Sequence, residues 1–180
     1  MAARELTRAE TRVSVHGNGA CAQPGNVTFF TVATERLRAQ TNKTHWVLGQ
    51  IASMSRKHVL KHSRALLQMS TLQLEEFIEE VRITCLTVEQ QLQAAHIDGP
   101  RELIALVIDA EGYDATILKT IDWRRLHPWL LIFEHVHLAV ERAKRVNARL
   151  GRHGYVCALR DQENTYCLRD DVQTFSRCGA

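Results

Sequence analysis

The sequence predicts an α/β domain with a mostly parallel sheet that ends in an antiparallel hairpin. Residues 103–108 and 128–133 are short apolar runs with the length of strands that are buried on both faces, as the strands of parallel sheets are. Helical patterns follow both runs, and the alternating segments 155–160 and 165–169 flank a polar turn. With 180 residues, 45% of them hydrophobic and 24% charged, the chain is long and apolar enough to bury a core.

The N-terminal part of the chain has the pattern of a helix end, a strand, a glycine-rich turn and a second strand. Residues 2–11 end a helix, and residues 12–16 alternate as a strand does. Residues 17–25 superficially resemble the glycine loop of a nucleotide cofactor site. Such a loop needs a helix directly after its glycines, whereas residues 27–32 here form a β-rich run. We therefore predict a hairpin at this place.

The middle of the chain carries a basic segment at residues 36–74, with seven Lys or Arg residues and no Asp or Glu. It is either a solvated basic face or a surface for an anionic partner. Because it lacks interleaved aromatic residues and any nucleic-acid motif, we do not expect it to bind nucleic acid. Within it, residues 56–67 are predicted to form a short helix.

A helix, a strand and a second helix are predicted between the basic segment and the first apolar run. Residues 71–80 have a helical charge pattern, and residues 81–86 alternate like a strand. Residues 87–96 begin with Thr87, a good helix cap, and continue with strong helix formers.

Carboxylates follow both apolar runs directly. Asp109 and Glu111 come after residues 103–108, and Glu134 comes after residues 128–133. The carboxyl ends of neighbouring parallel strands meet at one edge of a sheet, which is where ligands of α/β proteins bind. The sequence therefore predicts an active-site edge at these residues, followed by a turn at Gly112 and a helix at residues 115–120.

The motifs around this edge resemble the FkbM-type family of S-adenosylmethionine-dependent methyltransferases, over roughly residues 13–168. The most specific parts are Ile108-Asp-Ala-Glu-Gly-Tyr-Asp114, Leu118-Lys119, Phe133-Glu134-His135 and Gly154-Tyr155. The chain departs from the family pattern at three positions, where it has Thr87 for Asp, Val107 for Lys and Thr120 for Gly.

The resemblance implies a Rossmann-like class I methyltransferase sheet with the strand order 3-2-1-4-5-7-6. It also implies that the first strand, the glycine-rich cofactor loop and the acid after the second strand lie upstream of Ala2, so that the sheet in this chain is truncated. The strand at residues 103–108 is then left with an apolar edge. Rearrangement of the N-terminal segment, self-association of chains and an incomplete gene product remain the alternatives. We predict a single domain at residues 1–180, with a core at 12–169 and the basic segment 36–74 as a variable region.

The implied reaction is O-methylation of a hydroxyl on a small molecule or sugar, with S-adenosylmethionine as the cofactor. The predicted catalytic residues are Asp109, Glu111 and Glu134. The predicted substrate pocket contains Tyr113, His135 and His137, and we expect at most one of the two histidines to face it. A catalytically inactive remnant that acts as an interaction module through the basic segment is the alternative function.

The role of the carboxylates has three interpretations. Asp109 or Glu111 is the general base that deprotonates the hydroxyl. Alternatively, Asp109 or Glu111 joins Glu134 and His137 in holding Mg²⁺ or Mn²⁺, which acidifies the hydroxyl, and the predicted ligand set is Asp109, Glu134 and His137. In the third interpretation Glu111 and Asp114 cap the following helix, and Glu134 pairs with a nearby histidine.

Cysteine usage and the N-terminus predict a soluble cytoplasmic protein. The five cysteines are odd in number and include no Cys-x-x-Cys, so we expect reduced thiols, although Cys157 and Cys167 have the spacing to face each other across a hairpin. The chain starts without the apolar core of a secretory signal, and no run has the length of a membrane span.

Overall fold

The computed structural model describes residues 13, 15–43, 45–97, 103–159 and 161–171. The predicted helix end at 2–11 and part of the predicted strand at 12–16 lie outside these residues. The described part is a mixed α/β structure. Its strands are β1 (Gly19–Ala20), β2 (Gly25–Val32), β3 (Ala52–Ser53), β4 (Ile78–Leu86), β5 (Ala105–Ile108), β6 (Leu130–Glu134), β7 (Tyr155–Leu159) and β8 (Asn164–Arg169). Its helices are α1 (Thr34–Thr41), a 3₁₀ helix (Trp46–Gly49), α2 (Arg56–Leu67), α3 (Thr71–Glu75), α4 (Val88–Ala94), α5 (Asp114–Thr120) and α6 (Val140–Gly151).

Contacts between residues divide the chain into two compact units. The split unit consists of Met1–Pro24 together with Leu86–Ala180, and the inserted unit is Gly25–Cys85. The two ends of the inserted unit are antiparallel neighbours, since Gly25 is the register partner of Cys85. In the split unit, the Cys21 N–H donates a hydrogen bond of 2.9 Å to the carbonyl of Leu86.

In the inserted unit, β2 pairs antiparallel with both β4 and β3. The ladder with β4 runs from Gly25 opposite Cys85 to Val32 opposite Ile78. The predicted hairpin between β2 and the segment before it is therefore wrong, because β2 takes its partners from later in the chain. The fully buried side chains of this unit include Leu37, Leu48, Val59 and Leu74.

Helices α2 and α3 of the inserted unit each begin directly after a serine whose side chain caps the helix. Helix α2 covers the predicted residues 56–67: the Ser55 side chain accepts a hydrogen bond from the His58 N–H, and Gln68 ends the helix in the left-handed conformation. Helix α3 ends at Glu75, before the predicted end at residue 80, because residues 78–80 already belong to β4.

The sheet of the split unit has the strand order β5-β6-β8-β7. Strands β5 and β6 are parallel, whereas β8 is antiparallel to both β6 and β7. The predicted C-terminal hairpin is confirmed, but among the described strands of this sheet parallel pairing is limited to β5 and β6, so the sheet is mixed.

The hairpin of β7 and β8 contains a disulfide bond. Cys157 and Cys167 are opposite each other in the register, with Cα atoms 4.0 Å apart, and their sulfur atoms are bonded. The prediction of reduced thiols is therefore wrong for this pair. It is also wrong for Cys21 and Cys85, which are disulfide-bonded as well.

One face of this sheet is buried and the other is open. Ile108, Leu131 and Phe133 are buried in one cluster with side chains of α5 and α6. On the opposite face Val107 is 62% exposed and Val156 is 49% exposed. The prediction that residues 103–108 are buried on both faces is wrong, because β5 lies at the edge of the sheet and one of its faces is uncovered. Self-association through this edge stays a prediction.

Helix α4 begins with the predicted cap. The Thr87 side chain accepts a hydrogen bond from the Gln90 N–H, and the Gln90 side chain accepts one from the Thr87 N–H. Within the described part of the chain, none of the helices has the length and apolar character that crossing a membrane requires.

Candidate functional site

The end of β5 turns sharply into α5 through two left-handed residues. Glu111 has φ 48° and Gly112 has φ 88°. A β-carbon at Gly112 would lie 3.2 Å from the Cβ of His137. Glycine is suited to this position on both counts, since it adopts positive φ without a steric penalty and leaves room for the histidine. The turn therefore brings His137 against the end of β5.

Glu111, Glu134 and His137 converge at the ends of β5 and β6. The Nε2 atom of His137 is 3.5 Å from a carboxylate oxygen of Glu111 and 3.6 Å from a carboxylate oxygen of Glu134. One ligand atom from each of the three side chains lies within 4.8 Å of the others. The proximity that the strand-end argument predicts for Glu111 and Glu134 is thus observed.

Glu134 is the most perturbed acid in this group. Burial in the protein and then repulsion from Glu111 and Asp109 raise its pKa from 4.5 to about 7, with smaller contributions from Asp114 and Glu163. Its side chain is only 15% exposed. Its Oε2 atom is buried, and among the described residues it has no hydrogen-bond partner. A carboxylate in such surroundings is stabilised by a nearby positive charge or by binding a proton.

Asp114 connects the start of α5, which follows β5, to the end of β6. It is fully buried in the first turn of α5, and its Oδ1 atom accepts a hydrogen bond of 3.3 Å from the Glu134 N–H. Burial raises the pKa of this carboxyl. The N-cap residue of α5, Tyr113, makes no side-chain cap bond. The hydrogen bond from Glu134 instead ties Asp114, the first residue of α5, to β6. Sequence reasoning considered Asp114 only as a cap of the following helix and did not predict this link to β6.

The remaining predicted site residues occupy different places. Asp109 is exposed directly after β5. Tyr113 is partly buried and packs against the core of the split unit. The His135 N–H donates to the carbonyl of Glu163 at 2.8 Å, and its ring Nδ1 is 3.1 Å from the Thr165 hydroxyl. His135 is therefore held at β8, and His137 is the histidine that joins the carboxylates.

The arrangement is suited to charge chemistry. Two carboxylates and one imidazole from adjacent strand ends can hold a cation, accept a proton, or orient a hydroxyl group. Asp109 adds a further exposed carboxylate beside them.

Comparison with known proteins identifies a family for this region. A family model described as a methyltransferase FkbM domain matches residues 14–157, which is most of the chain and includes the ends of both β5 and β6. No curated protein and no solved structure matches the chain significantly.

Proposed function

Because the chain belongs to the FkbM family of methyltransferases, we propose that it transfers a methyl group from S-adenosylmethionine to a hydroxyl group of a small molecule or sugar. The observation that carries the proposal is the meeting of Glu111 and Glu134 at adjacent strand ends, with Asp109 beside them. This is the edge at which α/β folds bind their ligands.

The cofactor fits the charge of this edge. S-adenosylmethionine, when bound, supplies an electrophilic methyl group on a positively charged sulfur. The carboxylates of Asp109, Glu111 and Glu134 are complementary to a positive group, and burial together with repulsion between them raises the pKa of Glu134. We assign none of the described residues to the ribose or the adenine.

The residues at the edge bind the acceptor hydroxyl and take its proton. A hydroxyl oxygen becomes a good nucleophile only as its proton leaves, so a positioned base increases the rate. Asp109 supports this role because it is exposed at the end of β5 and lies close enough to Glu134 to repel it. Glu111, Glu134 and His137 are then left to orient the oxygen.

The family match favours the methyltransferase over the interaction module. Part of the basic segment is also engaged within its own unit: Arg56 forms an ion pair with Glu75, and the Lys43 ammonium donates to the carbonyl of Leu67 at 2.9 Å. These cations are less available to an anionic partner than the sequence alone suggests.

Calorimetric titration with S-adenosylmethionine tests the proposal on the full chain. We expect saturable binding to the wild type and to Asp109→Asn. The absence of heat at millimolar cofactor would contradict a cofactor role for this chain.

Methyl transfer is tested separately, with labelled S-adenosylmethionine and a panel of monosaccharides and phenols. Asp109→Asn should reduce transfer at least about 100-fold, as the loss of a general base does. Glu141→Gln is the matched control, because Glu141 is an exposed acid of α6 that pairs with Lys144, and it should keep full activity. Transfer that survives in Asp109→Asn would exclude Asp109 as the base.

A further inference from the structure

Three metal-ligating groups stand near the spacing of a shared ion. Two neighbouring ligands at about 2.1 Å from one octahedrally coordinated metal ion lie about 3.0 Å apart. The Nε2 atom of His137 is 3.5 Å from Glu111 and 3.6 Å from Glu134. A small rotation of the two carboxylates would bring all three groups into the coordination sphere of one ion.

A second observation, independent of these distances, points to a positive ligand. The Oε2 atom of Glu134 is buried, and it has no hydrogen-bond partner among the described residues. The Glu134 side chain is only 15% exposed, and its other carboxylate oxygen, Oε1, lies 3.6 Å from Nε2 of His137. A divalent cation held by the three groups would give this oxygen a partner and balance the charge of the two carboxylates.

The backbone holds these ligands in place without help from an ion. The N–H of Glu134 is bonded to the buried Asp114, and His137 packs against Gly112. Fixed ligands and supporting hydrogen bonds are what separates a metal site from a group of surface acids.

From these observations we propose that Glu111, Glu134 and His137 bind one divalent metal ion. Two carboxylates and a single imidazole favour Mn²⁺ or Mg²⁺, because oxygen ligands suit these ions better than they suit Zn²⁺. The sequence pattern predicts Asp109, Glu134 and His137 as ligands, and the geometry replaces Asp109 with Glu111. Asp109 is thereby free to act as the base.

The role of the ion rests on the proposed methyl transfer, whereas its binding does not. A carboxylate, with a reference pKa of about 4, is a weak base toward a hydroxyl group. The pKa of water, for comparison, is about 16. A metal ion bound to the hydroxyl oxygen lowers that pKa by several units. The proton of the acceptor would then pass to Asp109, and the oxygen would keep the electron pair with which it bonds to the methyl carbon. The bond between that carbon and the sulfur of the cofactor would break, and its electron pair would stay on the sulfur as a neutral thioether.

Titration of the full chain with Mn²⁺, after treatment with a chelator and desalting, tests the site. Bound Mn²⁺ loses the electron paramagnetic resonance signal of the free ion, and we expect one ion per chain. Glu134→Gln and His137→Ala should each weaken binding at least tenfold. Glu163→Gln is the matched control, because it removes a charge that repels Glu134 without removing a ligand, and it should change the affinity less than threefold.

Two results would overturn the proposal. One is an undiminished free Mn²⁺ signal with wild-type protein at millimolar concentrations. The other is an equal loss of affinity in Glu163→Gln and Glu134→Gln, which indicates diffuse attraction without a defined site. Circular dichroism shows whether each variant is folded, and Glu111→Gln takes the place of any variant that is not. Calorimetry with S-adenosylmethionine on the chelator-treated protein separates a failure of the metal site from a failure of the methyltransferase assignment.

Discussion

The buried carboxylate of Asp114 accepts a hydrogen bond of 3.3 Å from the backbone N–H of Glu134. The bond joins the first turn of α5 to the last residue of β6. Because Glu111 lies in the turn before α5, this contact couples the positions of the two glutamates that meet at the site. A buried acid in the split unit thus supports the geometry of the two partly buried glutamates at the site.

Asp114→Ala should destabilise the protein by about 1–3 kcal/mol, because it removes the side-chain acceptor of the partly buried N–H of Glu134. Asp114→Asn should cost less, since the amide oxygen can still accept the bond and no acid is buried. Urea denaturation followed by circular dichroism measures both. Equal losses in the two variants would show that the hydrogen bond does not carry the effect.

Gly112→Ala should cost about 1–2 kcal/mol in the free energy of unfolding, because an alanine at positive φ is strained. The new methyl group also displaces His137, from whose Cβ it would lie 3.2 Å, so Mn²⁺ binding should weaken as well. Gly151→Ala is the control: it meets no atom within 4 Å and lies in α6, where alanine is favoured. A Gly112→Ala protein with wild-type stability and Mn²⁺ affinity would contradict the packing argument.

The stability of the metal-free protein should fall as the pH rises from about 5 to 8. The pKa of Glu134 is about 7 in the folded protein and 4.5 as a reference, so the folded state binds more protons in this range. The unfolding free energy then decreases with pH, by at most about 3 kcal/mol from this group. Denaturation in chelator at several pH values measures the slope. Glu134→Gln should flatten it, and an unchanged slope in that variant would assign the dependence to other groups.

The disulfide bond between Cys157 and Cys167 should be present in protein purified without reductant. Peptide mapping under non-reducing conditions should recover the two cysteines in one linked peptide. Closing a loop of about ten residues stabilises a fold by about 2–3 kcal/mol in the chain-entropy account. Cys157→Ala, Cys167→Ala and the double variant should therefore lose similar amounts, since either change removes the same bond. Additive losses would indicate that packing of the sulfur atoms dominates.

Sequence patterns predicted those helices and strands whose bounds are set by neighbouring residues, such as a helix cap. Helix α2 has a serine cap and an amphipathic face, and its bounds were predictable from sequence. The pairing of β2 with β4 was not, because the partners lie far apart in the chain and periodicity says nothing about which strands meet. The same limit explains why β4 begins at Ile78, where the local charge pattern favours a helix.

At the site, the strand-end rule placed Glu111 near Glu134, because both follow apolar runs. It left open which histidine joins them. The chain leaves its extended conformation after Glu134, and the contacts of His135 with Glu163 and Thr165 come from a hairpin distant in sequence. The exposed face of β5 was likewise beyond sequence reasoning, since an apolar run looks the same whether one or both of its faces are covered.

The inserted unit begins and ends at neighbouring positions, since Gly25 lies opposite Cys85 and the Cys21 N–H donates a hydrogen bond to the carbonyl of Leu86. Because the chain leaves the split unit and returns to it at neighbouring positions, the segment between these positions can vary in length without straining the split unit. Replacement of residues 25–85 by a few glycines would keep both strand ends of the candidate site, but it would also remove Cys85, one of the disulfide-bonded cysteines, and most of β4, which pairs with β1.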